Sequence, residues 1–248
     1  MSVIADSFRI AWIDMCFIRR NIPTVLVTSL VAPLLYLVAF GYGLGDGMTL
    51  EGFDYRSFMI PGIIALTTLT ACFSTVATKV MLQRTYYQSF DELFLCSMSP
   101  SAIVLGKAYS GMARGLISCT ILYIMGMALS GDVMPTVQAA ILIIMSCLTY
   151  GLLGVVAGLL SNSHLTLNLF NSLAVLPMTF LCGTIFSLDS LPGVAQTAIG
   201  LLPLTHTTEC IRSAMLGTEF PWVSLAVTAI YMVAFFAIAT YLISSRRG

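Results

Sequence analysis

The sequence predicts an all-α membrane protein with six transmembrane helices, and three observations support that prediction. Charged residues make up 9% and hydrophobic residues 58% of the 248 residues, with a mean hydropathy of +0.95, whereas soluble domains carry about 25% charged residues. Residues 133–188 contain no Asp, Glu, Lys or Arg, and this run is too long for one crossing but suits two. The polar break SNSHLT at 161–166 lies where a turn between two spans belongs.

Six apolar runs have near-spanning length. Each is expected to be helical, because in lipid only a helix satisfies its own backbone polar groups. The runs are residues 22–44, 58–78, 108–129, 136–160, 167–188 and 222–243. Pro33 and Pro177 lie inside runs and are expected to kink their helices rather than end them. Residues 1–248 are therefore predicted to form one polytopic membrane domain.

An amphipathic helix is predicted over residues 1–20, before the first span. Apolar side chains recur there at helical spacing, while charged ones fall elsewhere on the helical wheel. The apolar set is Ile4, Phe8, Ala11, Trp12, Met15 and Ile18, and the charged set is Asp6, Arg9 and Asp14. This pattern, with a Trp and terminal arginines, is typical of a helix that lies in the membrane interface.

The basic residues are divided unequally between the two ends of the predicted spans. The side that holds both termini carries Arg9, Arg19, Arg20, Lys79, Arg84, Lys107, Arg246 and Arg247, whereas the opposite side carries Arg56 and Arg212. The positive-inside rule places the more basic side in the cytoplasm. The expected topology is a multi-pass protein of the cytoplasmic (cell) membrane with both termini cytoplasmic.

The cytoplasmic segment between the second and third spans is predicted to contain a short amphipathic helix over residues 86–95. Tyr86, Phe90, Leu93 and Phe94 recur at helical spacing, and Pro100 stops the helix before the next span. A helix that only anchors the loop in the membrane interface fits the same pattern.

The outer segment 189–220 is too apolar for a free loop and is predicted to be a re-entrant helical hairpin. Pro192 and Pro203 resemble helix starts, and Gly200 and Gly217 resemble helix ends. Backbone at membrane depth must be buried in protein or line a cavity. The hairpin is therefore expected near an interface or a pathway.

Three ionisable residues of this hairpin, His206, Glu209 and Arg212, are predicted to cluster on one helical face at the outer mouth. Glu209 is expected to partner Arg212 or His206. The cluster closes the exit of the pathway as an outer gate, or it only pins the hairpin to the last span or to a second subunit. A metal site of His206, Glu209 and Cys210 is the weaker alternative, because it needs a further ligand, and no metal is expected.

Two cations mark the predicted inner mouth, Lys107 and Arg114. Arg114 is the one charge inside an apolar run, about two turns beyond Lys107. It either snorkels to the cytoplasmic face or serves an anionic substrate.

Several function classes lack their sequence signatures. There is no G-x-x-x-x-G-K-[ST] motif, since Ser101 stands where Gly106-Lys107 would need an upstream glycine. No catalytic constellation is present, so the chain is not expected to be an enzyme by itself. No nucleic-acid partner is expected either. The seven cysteines form no CxxC pair and are expected to be packing residues. A secondary transporter or channel acting without an ATPase stays the alternative, although such carriers normally show deep ionisable residues and inverted repeats.

In three stretches the chain resembles the membrane subunit of type-2 ABC exporters. They are FMIPGIIAL from residue 58, FDELFLCSMSPSAIVLGK from residue 90, and LPMTFLCGTIFSLDSLP from residue 176 through LLPLTHTTECIR from residue 201. The resemblance covers essentially the whole chain. It is nearest to permeases of the nodulation-factor and polysaccharide exporter type, and drug exporters share the pattern.

The resemblance implies a permease that pairs with a second copy or a related permease among membrane lipids. Separate P-loop ATPase subunits would bind ATP and Mg, while this chain binds no cofactor. The helix at 86–95 would be the coupling helix, with Tyr87, Phe90, Asp91, Glu92 and Phe94 touching the ATPase. The implied cargo is an amphipathic, lipid-linked, glycan or drug-like molecule that is moved out across the cytoplasmic membrane.

Overall fold

The chain folds into a bundle of α-helices in which the longest helices follow the apolar runs of the sequence. The structure, a computed structural model, describes residues 3–41, 49–50, 52–95, 98–129, 133–134, 136–181 and 193–245. Its helices are α1 (Val3–Arg20), α2 (Ile22–Gly41), α3 (Tyr55–Thr85), α4 (Ser89–Leu95), α5 (Pro100–Leu129), α6 (Val137–Leu160), α7 (His164–Phe170), α8 (Leu176–Leu181), α9 (Gly193–Gly200), α10 (Pro203–Leu216) and α11 (Trp222–Ser244). A small antiparallel hairpin of β1 (Thr49–Leu50) and β2 (Phe53–Asp54) precedes α3. The prediction of an all-α membrane protein is confirmed.

Within the part of the chain that the structure describes, five helices are long and apolar enough to cross a membrane: α2, α3, α5, α6 and α11. The fifth predicted span, 167–188, corresponds to α7, a π-helical turn at Asn171–Val175, and α8, which follow one another without a break. Its continuation beyond Leu181 and the glycine-rich end of the first span lie outside the described residues. The count of six spans therefore stays a prediction.

The π turn in the fifth predicted span has a local cause. The amide of Leu176 bonds to the carbonyl of Asn171, five residues earlier. Pro177 has no N–H to give to the carbonyl four residues before it, and the π turn lies where that bond is missing. The helix thus passes through Pro177, and π turns of this kind are frequent at functional sites.

Helix α3 lies at the centre of the bundle and packs against α6, α5, α10 and α2. Glycines on α6 let two backbones approach closely. A Cβ added at Gly154 would lie 2.9 Å from the carbonyl oxygen of Phe73, and one at Gly158 would lie 2.7 Å from that of Ala77. Small residues at such crossings are how membrane helices gain contact, because lipid supplies no hydrophobic force between them.

Two helices extend beyond their predicted spans at the end of the bundle that carries α1 and α4, here called the basic end. Helix α3 continues past residue 78 to Thr85, and α5 begins at Pro100 rather than at residue 108. With 31 and 30 residues they are about 45 Å long, whereas a bilayer core is about 30 Å thick. Their protruding turns form the platform on which α1 and α4 rest.

Helix α1 lies along α5 and turns its largest apolar side chains outward. Ile4, Phe8, Trp12 and Met15 are exposed, which leaves them free to enter lipid. Ala11 and Ile18, which were predicted on the same apolar face, are instead buried, together with Ile10. A Cβ at Gly106 would lie 2.7 Å from that of Ile10. The side of α1 that faces protein also carries buried polar residues, among them Asp6 and Asp14.

Candidate functional site

The predicted coupling helix is present as α4, but it is shorter than the predicted segment 86–95. Tyr86 ends α3, and Gln88 has a left-handed backbone with φ of 52°, so the chain reverses before α4 begins at Ser89. Tyr86 and Tyr87 thus stand in the connection, 76% and 64% exposed, with their rings in a T-shaped contact. Both rings are therefore accessible at the basic end.

The prediction that Phe90 touches a partner is corrected by its burial. Phe90 is 1% exposed and shares a buried cluster with Val80 of α3 and with Ile103 and Val104 of α5. It anchors α4 to the two protruding helices. Glu92 points to solvent.

The side chains of Asp91 and Phe94 lie outside the part of the chain that the structure describes in side-chain detail. Tyr87 and Glu92 are therefore the exposed members of the predicted docking set that the structure describes.

Sequence reasoning missed an acidic residue that joins three elements at the basic end. Asp14 of α1 is buried, and its carboxylate lies 2.6 Å from Nζ of Lys79 on α3 and 3.9 Å from Nζ of Lys107 on α5. Lys107 is itself 5% exposed. The only signal in the sequence was that Asp14 fell away from the apolar face of its helix. The inner-mouth cation Lys107 is thus part of a buried carboxylate–lysine cluster.

Arg114 reaches across to α2, and the choice between snorkelling and an anionic substrate stays a prediction. Its Nε donates to Oγ of Ser29 at 2.9 Å, and its Nη2 donates to Oγ1 of Thr28 at 2.7 Å. These bonds tie α5 to α2 about two turns from the start of α2. The guanidinium forms part of the wall of a cavity of about 880 Å³.

The predicted outer cluster is built on α10, whose ends lie where the sequence predicts them. Pro203 occupies the first turn, and Gly217 ends the helix with φ of 71°. That left-handed conformation favours glycine and is the usual end of a helix. His206, Glu209 and Arg212 therefore follow one another at helical spacing.

Ser224 of α11 joins His206 to Glu209. The hydroxyl of Ser224 donates to Oε2 of Glu209 at 2.6 Å, and Nδ1 of His206 lies 3.1 Å from the same hydroxyl oxygen. Nε2 of His206 lies 2.8 Å from the carbonyl oxygen of Gly200, to which it donates. Ser224 thus links the imidazole ring of His206 to the carboxylate of Glu209.

Arg212 of the same helix stacks on an aromatic ring. Its guanidinium carbon lies 3.7 Å from the ring centroid of Phe58 on α3, a cation–π contact. The three predicted residues thus attach α10 to two different helices, α11 and α3. This arrangement pins the hairpin to the bundle, and gating by the same residues stays a prediction.

The neighbouring Cys210 keeps its proton at neutral pH. Burial, together with the Glu209 carboxylate, raises the pKa of the Cys210 thiol to about 12. Thiolates rather than thiols bind metals. Among the residues that the structure describes, no three His, Cys, Asp or Glu side chains come together in a metal-binding group.

Comparison with known proteins places this architecture in a family. Residues 8–216 match the model of the family described as ABC-2 type transporter. The inner membrane transport permease YadH of Escherichia coli K12 is 26% identical over 236 residues, which is 94% of this chain and 91% of the relative.

Proteins named nodulation protein J are similar to this chain to about the same extent as YadH. The one from Rhizobium leguminosarum bv. trifolii is 30% identical over 236 residues, 89% of this chain and 86% of the relative. The one from Neorhizobium galegae is 27% identical over 240 residues, 92% and 88% of the two chains. The family match spans most of the bundle, including α4 and the hairpin helix α10. The chain therefore belongs to the ABC-2 type transporter family and is a multi-pass membrane permease.

Proposed function

We propose that the chain is the permease subunit of an ATP-driven exporter whose ATPase is a separate protein. The single observation that carries the proposal is α4, a short helix fixed at the basic end on two protruding span helices. Family membership supports the proposal, since an ABC-2 permease works with an ATPase. The lack of a P-loop motif in the sequence agrees with ATP and Mg being bound by the partner.

The anchoring of α4 supplies a route for mechanical coupling. Phe90 inserts into a cluster that contains Val80 of α3, Ile103 of α5, Leu152 of α6 and Ile243 of α11. Protein interiors are close-packed, so a displacement of one member is passed to its neighbours. An ATPase that docks on Tyr87 and Glu92, and on Asp91 and Phe94 beside them, would move all four helices through this one side chain.

The exporter is proposed to work as a homodimer or with a second, related permease. Helix α2 offers an unbroken apolar stripe for a second subunit or for membrane lipid: Val27, Val31, Leu35 and Val38 are all exposed. The charge distribution supports a cytoplasmic position for both termini and for α4. In this orientation His206, Glu209 and Arg212 lie at the outer exit, which the hairpin is proposed to close.

The cargo is proposed to be amphipathic, in the range of lipid-linked, glycan or drug-like molecules. The name of YadH supports a location in the cytoplasmic membrane.

Affinity capture of the tagged chain from its own membranes tests the ATPase partnership. A P-loop ATPase in stoichiometric amount is expected, and charge reversal of Asp91 and Glu92 to Lys should lose it, because that surface changes sign. Glu219→Lys is the matched control, since this acid is exposed near the opposite end of the bundle. Transport by the purified chain alone, without ATP, would instead establish a secondary transporter or channel.

A further inference from the structure

An elongated cavity lies between the basic-end half of α3 and several neighbouring elements, and Tyr87 and Ser89 at the start of α4 also line it. It has a volume of about 880 Å³ and is walled by α1, α2, α3, α5 and the π turn with α8. On α3 the lining residues run from Leu66 to Gln83, which corresponds to about 25 Å along the helix axis. A cavity of this length and volume is in the range of sites that hold drug-sized or lipid-like molecules.

The lining changes in character along the cavity. The basic end carries Asp14, Lys79 and Ser110, and the other end carries Pro33, Tyr36 and Leu66. Thr70 and Thr75 of α3 line the cavity between these two ends, and their hydroxyl groups donate to carbonyls of their own helix. The cavity thus has one polar end and one apolar end, as an amphiphile requires.

The charges of the cavity wall do not cancel. Its lining contains two cations, Lys79 and Arg114, and one carboxylate, Asp14. Asp14 is paired with Lys79 at 2.6 Å. Arg114 bonds only to the uncharged hydroxyls of Thr28 and Ser29, and among the described residues no carboxylate lies within ion-pair distance of it. Among the residues that the structure describes, Arg114 therefore stands in the wall without a counter-charge.

An intramembrane cation without a counter-charge is energetically costly and marks a functional site. Arg114 has five N–H donors in a fork that matches phosphate and carboxylate geometry, and its two bonds to α2 use two of them. Those bonds fix the orientation of the guanidinium in the wall. The remaining donors are thus held in place for an anion.

We propose that this cavity binds the anionic head group of an amphiphile, with Arg114 as the anion-binding residue and the apolar end around Tyr36 and Leu66 holding the chain. The same phosphate or carboxylate chemistry comes from an exported amphiphile or from a membrane phospholipid. The assignment to cargo rests on the proposed export function. The anion site itself does not.

The test uses binding of radiolabelled dodecyl phosphate to the purified chain in nanodiscs of phosphatidylcholine, with no ATPase present. Saturable binding is expected, and Arg114→Gln should weaken it at least about tenfold, whereas Arg114→Lys keeps the charge and should weaken it less. Unlabelled dodecyl maltoside, which has no charge, should not compete. Equal binding by wild type and Arg114→Gln, or full competition by the maltoside, would overturn the proposal.

Two controls separate ligand binding from the structural tie between α5 and α2. The double variant Thr28→Val, Ser29→Ala removes the tie but keeps the cation, so its affinity should stay within about threefold, because the charged contact dominates. Arg84→Gln removes an arginine that bonds to the turn after α6 and does not line the cavity, so its binding should be unchanged. A loss in the double variant as large as that in Arg114→Gln would show Arg114 to be a tether only.

Nanodiscs that contain phosphatidylglycerol distinguish the two sources. If dodecyl phosphate binding persists there, the site prefers a single-chain anion and the cargo assignment stands. If it is abolished, the site belongs to membrane phospholipid and the cargo assignment is overturned. No ATPase takes part in this binding experiment, so the two tests are independent. If binding fails, the proposed ATPase partnership is unaffected; if the capture of an ATPase fails, the binding result still stands.

Discussion

Replacing Asp14 by Asn should destabilise the basic end of the bundle by more than any other loss of a single charge there. The Asp14 carboxylate lies 2.6 Å from Nζ of Lys79 and 3.9 Å from Nζ of Lys107. Lys107 is 5% exposed, so it cannot recover its hydration when the carboxylate is removed. The variant would leave a buried ammonium group beside a neutral amide.

The size of the effect follows from the burial of the partners. Breaking a buried ion pair by removing one partner costs about 3–5 kcal/mol. At roughly 2–4 °C per kcal/mol for a chain of this size, the melting temperature should fall on the order of 10 °C. Asp14→Asn combined with Lys107→Met removes the carboxylate and the more deeply buried ammonium group. It should recover at least about half of that loss, because the remaining ammonium group of Lys79 is on a side chain that is 28% exposed and can be hydrated.

The assay is thermal unfolding of the purified protein in one detergent, followed by fluorescence-detected size exclusion. Asp6→Asn is the matched control: Asp6 is a buried acid on the same helix, but its partner Arg9, 3.6 Å away, is exposed. It should cost no more than about 1 kcal/mol. A drop below about 2 °C for Asp14→Asn, or a further drop in the double variant, would refute this account of the cluster.

Three further predictions concern packing and the hairpin. Phe90→Ala removes the buried side chain that holds α4 on α3 and α5, and such a truncation in a core costs up to about 3–5 kcal/mol of stability. Limited proteolysis between α3 and α5 should therefore accelerate, and an unchanged cleavage rate would contradict the anchoring role of Phe90. Gly158→Ala places a Cβ 2.7 Å from a carbonyl oxygen of α3 and should lower the free energy of unfolding by about 1–3 kcal/mol. Gly200→Ala, whose Cβ would have no atom within 4 Å, should leave it unchanged. Ser224→Ala removes the hydroxyl shared by His206 and Glu209 and should lower the free energy of unfolding by about 1–3 kcal/mol. This loss should exceed that of Thr228→Ala, whose hydroxyl bonds only to its own helix, and equal losses would contradict the bridging role. Impaired export by Ser224→Ala at normal expression would favour the gate.

The core of the fold was predictable because composition and length decide it. In lipid an apolar run of about 20 residues has no alternative to a helix. The positions at which helix α3 ends and helix α5 begins, at the basic end, were not predictable in the same way. Lys79 and Lys107 bounded the predicted spans, but a charge marks the membrane surface and does not end a helix. Helices α3 and α5 therefore run on into the platform that holds α4.

Local chemistry predicted the hairpin helix better than its contacts. Pro203 and Gly217 act through their own backbone preferences, so the bounds of α10 follow from sequence. The role of Ser224 as the partner of His206 and Glu209 could not be predicted from the sequence, because the contact joins residues of separate helices.

The same limit applies at the basic end. Helical spacing shows which side chains share a face, but it does not show whether that face meets protein, lipid or a partner. Phe90 was therefore predicted at a docking surface and is buried. The pairing of Asp14 with lysines on α3 and α5 likewise required the tertiary structure.

Site-specific photo-crosslinking tests most directly the central claim that the end bearing α4 docks a separate ATPase. Benzoylphenylalanine in place of Tyr87, an exposed aromatic beside α4, should crosslink to a P-loop ATPase in native membranes. The same replacement of Trp222, an equally exposed aromatic at the start of α11, should not, because it lies at the opposite end of a span. No ATPase adduct from position 87, or an adduct from position 222, would contradict the account.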